Sequence, residues 1–219
     1  MARQKLKRFD HNANAHNVLE EGKELFKNIK GNWHNSYFKN QNPIVLELAC
    51  GRGEYSTGLA MHYPDKNFIG IDIKGARIWK GSTVAIENNL QNVAFLRTHI
   101  QNLDFFFAPN EVAEIWLIHP DPRPRDKDEK RRLTSPRFLN LYRSFLIPQG
   151  KIHLKTDSEP LFDFTLEVLK DYKIDNLLFT KDLYNSELNE LHFGITTTYE
   201  KKFSDKGFKI NYLQFNFLE

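Results

Sequence analysis

Apolar residues along this chain fall in short runs separated by longer amphipathic stretches. The run Pro43 to Leu48, in NPIVLEL, has the length and continuity of a strand buried on both faces. A helical stretch follows from about Glu54 to His62. NFIGID, Asn67 to Asp72, reads as a second strand, and a helix carrying Trp79, Val84, Ala85 and Ile86 comes after it. NVAFLR is a third strand, AEIWLIH (Ala113 to His119) a fourth and GKIHLKT (Gly150 to Thr156) a fifth. Helical spacing recurs through Phe138, Leu139, Leu141, Tyr142 and Phe145, and again through Leu161, Phe162, Phe164, Leu166, Val168 and Leu169. Five alternations of strand and helix predict an α/β fold, a mostly parallel sheet with helices on both faces. The last segment departs from this. In INYLQFNFLE, Leu213, Phe215 and Phe217 alternate with Gln214 and Asn216, which predicts a late antiparallel strand.

Composition narrows the class. The 219 residues, 40% of them apolar, suffice for one substantial core. The expected organisation is a basic N-terminal arm and lead-in helix over residues 1–40, then a single domain over 41–219. Arg3, Lys5, Lys7 and Arg8 lie in a segment without an amphipathic stripe. It reads as a solvated tail or as an arm that orders on phosphates. The net charge is only +3, so affinity for nucleic acid must come from local patches. Cys50 is the one cysteine, which rules out an internal disulfide and a cysteine-rich zinc site; no metal is expected. No apolar run approaches the length of a membrane span and no apolar signal core opens the chain, so a cytoplasmic location is expected.

Candidate chemistry gathers at the carboxyl ends of the strands, where open parallel sheets bind ligands. The first strand ends in Glu47 and runs into Gly51 and Gly53; the second ends on Asp72; the third ends near His99; the fourth leads to Asp121. Glycines admit a ligand close to the backbone, and an acid at the end of the second strand suits a ribose diol. GRGEYS is not a clean dinucleotide fingerprint, since Ser56 stands where the third glycine would fall. Glu54 also puts negative charge at the helix start that a pyrophosphate would occupy. A cofactor without phosphates fits better, which favours S-adenosylmethionine and a methyltransferase over a nicotinamide dehydrogenase. Cys50 reads as a small residue in a crowded turn.

The stretch IHPDPRPRDKDEKRRL holds Asp121 between Pro120 and Pro122, a stiff mount for one carboxylate. Six cations follow it: Arg123, Arg125, Lys127, Lys130, Arg131 and Arg132. They are mixed with acids, as in a solvated loop, but the excess is positive and points to phosphate.

LELACGRGEY, GIDIKGAR, PDP followed by KRRLT, KTDSEPLFDFTL and TTTYEKKFSDKG occur in that order. In these motifs the chain resembles the bacterial tRNA (guanine-N7-)-methyltransferases, over about Leu46 to Gly207. The resemblance implies a Rossmann-like class I S-adenosylmethionine-dependent methyltransferase acting on tRNA, at N7 of the variable-loop guanine, position 46, with no membrane and no obligate protein partner. It implies cofactor contacts at Glu47, Asp72 and Asp121, beside the Gly51 and Gly53 read from the turn itself, with Asp121 also the catalytic residue. His99 stands where the family has a third cofactor acid. Substrate contacts are implied at Arg125, Asp157, Thr197, Thr198, Tyr199 and Glu200. Arg123 departs from the tryptophan that usually follows PDP, and Arg125 replaces a lysine. A non-catalytic RNA-binding protein that kept the fold is the rival reading.

Overall fold

The computed structural model describes residues 2–204 and 209–218. Eight strands form one sheet in the order β1-β4-β3-β2-β5-β6-β8-β7. They are β1 Val18–Leu19, β2 Ile44–Leu48, β3 Asn67–Asp72, β4 Val93–Arg97, β5 Val112–Ile118, β6 Leu146–Thr156, β7 Ile174–Thr180 and β8 Asn211–Phe217. Among the described residues seven α-helices accompany them: α1 Ala2–Asn14, α2 Glu24–Asn28, α3 Glu54–His62, α4 Gly75–Glu87, α5 Pro136–Arg143, α6 Glu159–Leu169 and α7 Thr198–Ser204. The pairs from β1 to β6 are parallel. The strand predicted at the C-terminus is β8, which inserts antiparallel between β6 and β7.

Side chains alternate across the sheet and build a core on each face. Ile44, Leu46 and Leu48 join Ile69, Ile71, Leu96, Ile115, Leu117, Ile152 and Leu154 on the face covered by α5 and α6. Val45, Phe68, Phe95, Trp116 and Ile118 join Tyr55, Leu59 and Ile78 of α3 and α4 on the other. The same alternation sends Glu47, His153 and Lys155 to the α3 side. Two polar side chains of one strand are thereby delivered beneath the sheet's functional end.

Several elements depart from the expectation. β6 starts at Leu146, not Gly150, because the register slips between Val112 and Glu114 and the exposed Ile147–Gln149 loop out of the ladder. β7 is an edge strand whose Leu177, Leu178 and Phe179 face outward, so it has no buried run to betray it. The N-terminal segment is a docked helix, not a solvated tail. Its stripe is polar and held by hydrogen bonds: buried Asn12 donates to Gly75 O at 2.8 Å, and His11 lies 3.1 Å from the Ser82 hydroxyl. The Arg8 guanidinium stacks on Trp79 at 4.9 Å. After the helix, Trp33 enters the core and stacks on Phe107.

Lys23 closes the end of α1. Its ammonium donates to Asn12 O, Ala15 O and Val18 O at 2.8, 2.6 and 2.6 Å, carbonyls along the turn from α1 into β1. Lys23→Met should cost about 1–3 kcal/mol in denaturant unfolding and speed hydrogen exchange over residues 2–14 before the rest of the chain. Unchanged exchange there would show that the side-chain contacts to α4 suffice.

Candidate functional site

The carboxyl ends of β2, β3 and β4 border a 470 Å³ cavity lined by Ala49, Asp72, Ile73, Thr98, His99 and Ile100, among others. Asp72 is fixed by two backbone donors. Gly51 N–H reaches its Oδ2 at 3.0 Å and Lys74 N–H reaches its Oδ1 at 2.8 Å. Gly51 has φ +56 and open space where a side chain would stand. Gly53, at φ +66, is needed for another reason: a Cβ there would fall 2.4 Å from the Phe95 ring. These two glycines let the β2–α3 turn pass between the ligand side and the core.

A nucleoside fits this chemistry. A buried, oriented carboxylate is set to accept from ribose hydroxyls, and Ile73 and Ile100 supply apolar walls for a base. His99, at the end of β4, is exposed and lines the same cavity. Among the described residues no cluster of His, Cys, Asp and Glu is arranged to hold a metal ion.

Glu47 lies below the cavity rather than on its wall. Its Oε2 accepts from Ser56 N–H at 2.7 Å and from the Ser56 hydroxyl at 2.5 Å. Burial pushes its carboxyl up to about 8, against the lowering effect of those bonds. Cys50 is buried in the adjoining turn, and burial pushes its thiol up, which suits packing rather than nucleophilic chemistry.

Asp121 projects from the rim, its side chain 61% exposed, and its Oδ2 pairs with Arg123 Nε at 3.1 Å. Arg123 lines the cavity with Arg131 and Arg137. The basic loop has an internal anchor. Asp128, buried, takes Arg125 Nη2 at 2.6 Å and Arg131 Nη1 at 3.1 Å, yet both arginines stay about two-thirds exposed at 65% and 66%. Arg132 belongs to the scaffold, since it donates to Arg123 O and stacks on Phe164 at 4.3 Å.

The third side is built by the C-terminal segment. Thr197 and Glu200 form a capping box at the start of α7: Glu200 N–H donates to Thr197 Oγ1 at 3.0 Å, and Thr197 N–H donates to Glu200 Oε2 at 3.3 Å. Thr198 donates through its N–H, at 2.8 Å, and its hydroxyl to Glu54. Glu54 therefore spends its charge on α7, at the place a pyrophosphate would require. The end of the TTTYEKKFSDKG stretch, residues 205–207, lies outside the described residues.

Glu200 is 1% exposed and bonds inward. Its Oε1 meets Lys155 Nζ at 2.6 Å, itself fully buried, and accepts from the Tyr184 hydroxyl. Lys155 also donates to the Tyr55 hydroxyl at 2.9 Å, which lies 2.8 Å from His192 Nδ1. Burial alone would raise the Glu200 carboxyl; the adjacent His119 ring and the Lys155 charge outweigh it and hold it below the usual range. Its partner is the buried Lys155 of β6. Asp157, half-buried, receives His119 Nδ1 at 3.2 Å and the Tyr199 hydroxyl at 3.4 Å. Tyr199 itself is exposed at the rim. Sequence reading missed Lys155, His119, Tyr55 and Tyr184. A lysine in an otherwise buried strand and a histidine two residues before Asp121 were the available signals.

A protein-family model described as "Putative methyltransferase" matches residues 41–213. A tRNA (guanine-N(7)-)-methyltransferase of Cytophaga hutchinsonii is 54% identical, over 100% of this chain and 99% of the relative. The chain belongs to the tRNA (guanine-N(7)-)-methyltransferase family. A member from Bacteroides fragilis is 46% identical, over 98% of this chain and 86% of its own length. One from Listeria monocytogenes is 35% identical, over 96% and 98%. Among solved structures, a 16S rRNA methyltransferase, KamB, superposes with a TM-score of 0.64 at 14% identity, covering 92% of this chain and 96% of that one. At that identity it shows the fold alone: the Rossmann-like class I methyltransferase architecture.

The state of Glu47 has a measurable consequence. Because its folded carboxyl titrates near 8, the folded chain holds an extra proton between the ordinary carboxylate range and that value. Stability should fall as pH rises through this window and level off above it. Glu47→Gln should remove that fall while keeping the fold, as seen in melting temperature against pH; an unchanged slope would place the ionised form in the native state.

Proposed function

We propose that this protein transfers the methyl group of S-adenosylmethionine to N7 of a guanine in tRNA, the variable-loop guanine at position 46. The observation that carries the reading is a shared rim: a nucleoside-sized cavity ending on Asp72 is bordered by Arg123, the arginine that pairs with Asp121. The name carried by relatives over nearly the whole chain supports it.

When bound, S-adenosylmethionine supplies an electrophilic methyl on a sulfonium sulfur. Guanine N7 attacks through an in-plane lone pair and needs no general base, so the residues of this chain mainly position. Alignment of that kind contributes up to about 7–11 kcal/mol in favourable intramolecular cases. Asp72, preset by two amides, would hold the ribose, with Gly51 and Gly53 keeping the adjacent turn open and His99 bordering the base side. Glu47 acts from behind by fixing the start of α3. Asp121, stiffened by its prolines, would accept from the guanine N1–H and amino group. That contact favours the positive charge that methylation leaves on the base. Asp157 would extend this acceptor edge, and the exposed Tyr199 ring offers a stacking face beside it.

Arg125 and Arg131, presented by Asp128, would take phosphates. Thr197 and Thr198 hold the segment that carries Tyr199. Glu200 serves the substrate side from beneath, as the inward anchor of that segment.

The test is labelled methyl transfer to unmodified tRNA transcripts with the product nucleoside identified. Label should appear in N7-methylguanosine and vanish when the variable-loop guanine is replaced. Asp121→Ala should lower turnover by about 10²-fold or more while cofactor affinity stays within about tenfold. Label in another nucleoside overturns the target, and absence of transfer with tRNA still bound returns the protein to a non-catalytic RNA binder.

A further inference from the structure

His119 has surroundings that the reaction above leaves unexplained. It is the residue just before the Pro120-Asp121-Pro122 tip, and its backbone is left-handed, with φ 44. A non-glycine residue holds that conformation only where its neighbours over-determine it. Here they do. Its N–H donates to Lys155 O at 2.8 Å, which extends the β5–β6 pairing one residue past β5. Its side chain is only 4% exposed. Nδ1 stands 3.2 Å from Asp157 Oδ1, and Nε2, which has no hydrogen-bond partner among the described residues, faces Glu200 Oε2 at an ion-pair distance of 3.5 Å. The Tyr199 ring packs against it at 5.5 Å. One imidazole thus touches the end of β6 and the start of α7 from the segment that carries Asp121.

We infer that His119 is a positioning residue for the base-binding side of the site: as an imidazolium it bridges Asp157 and Glu200 and holds the Asp157 carboxylate and the Tyr199 ring in register with the Asp121 tip. The role in substrate binding rests on the methyl-transfer reading; the bridge itself does not.

Charge matching around the ring supports this. The groups facing it are Asp157 after β6, Glu200 and the Tyr199 hydroxyl on α7, and, through Glu200, Lys155 of β6 and Tyr184. His192 is the nearby second imidazole, and burial and the Lys155 charge hold it neutral at this position, down to about 3. Lys155 balances Glu200, which leaves Asp157 as the unbalanced negative charge and the imidazolium as its counterpart. Burial works to lower the His119 pKa, but the bond to Asp157 and the charges of Asp157 and Glu200 prevail and raise it. A neutral ring keeps at most the Nδ1–H bond to Asp157 and loses the positive charge that faces Glu200. The bridge is therefore complete below the His119 pKa and lost as pH rises through it.

The experiment compares wild type, His119→Leu and His119→Asn with tRNA and S-adenosylmethionine across about pH 6–9. In Asn the side-chain amide replaces the Nδ1 donor to Asp157 without the charge. His119→Leu should raise KM for tRNA by about tenfold or more with cofactor Kd within about twofold, and His119→Asn should recover only part of that loss, to the level wild type reaches at alkaline pH. Wild-type kcat/KM for tRNA should decline on an alkaline limb that His119→Asn lacks. An unchanged KM in His119→Leu, equal loss of cofactor binding, or the same pH profile in wild type and His119→Asn would overturn the inference. The 15N shifts of the His119 ring report the bridge whether or not tRNA is methylated. Its pKa should drop in Asp157→Asn, and a pKa indifferent to that change would also overturn it. Transfer of no methyl to tRNA by the wild type, with the ring still responding to Asp157→Asn, would instead mark failure of the functional reading.

Discussion

The α7 side of this site hangs on one buried ion pair. Lys155 and Glu200 meet at 2.6 Å with essentially no exposure, one at the end of β6 and the other in the first turn of α7. Burying two charges is costly, and such a pair persists only when its remaining donors and acceptors are satisfied. They are satisfied here by the Tyr55 and Tyr184 hydroxyls. The pair then locks the capping box of Thr197 and Glu200, which sets the start of α7 and so the place where Tyr199 meets Asp157. Without that anchor, a short helix joined by a long irregular segment would have little reason to hold one position, since isolated helices of this length are unstable in water.

The cofactor side is built by different means. Backbone amides rather than buried charges orient Asp72, and glycine geometry keeps its surroundings open. Glu54 joins the two sides: it begins α3, next to the glycine turn, and takes both donors of Thr198 at the start of α7. An acid in that position disfavours a pyrophosphate and leaves room for a cofactor with a cationic centre. One carboxylate thus ties the glycine turn to the seating of the C-terminal segment.

What was legible in the sequence follows from how each signal is made. β2, β3, β4 and β5 are buried on both faces and show as apolar runs, and β8 shows through its alternation. β7 lies at the sheet edge with apolar side chains outward, and its pattern carries no information about burial. The docking of α1 uses Asn12 and His11 bonded to α4, so a search for an apolar stripe cannot find it. In the site, Asp72 and Asp121 could be placed because strand ends are predictable. The inward orientation of Glu200 could not, because its partner lies 45 positions away on a strand whose register with α7 only the folded chain defines. The loop after Asp121 read as a cluster of positive charge; that Asp128 is buried and sorts Arg125 and Arg131 to the surface while Arg132 packs on Phe164 depends on tertiary contacts.

The most direct measurement of the central claim is a double-mutant cycle on Lys155→Met and Glu200→Gln, read by denaturant unfolding. If the buried pair anchors the segment, Lys155→Met should cost about 3–5 kcal/mol by stranding the Glu200 charge, and the double variant should be much less destabilised than the sum of the singles. Additive losses, with no coupling beyond about 0.5 kcal/mol, would contradict the account and free Glu200 for a direct role at the substrate.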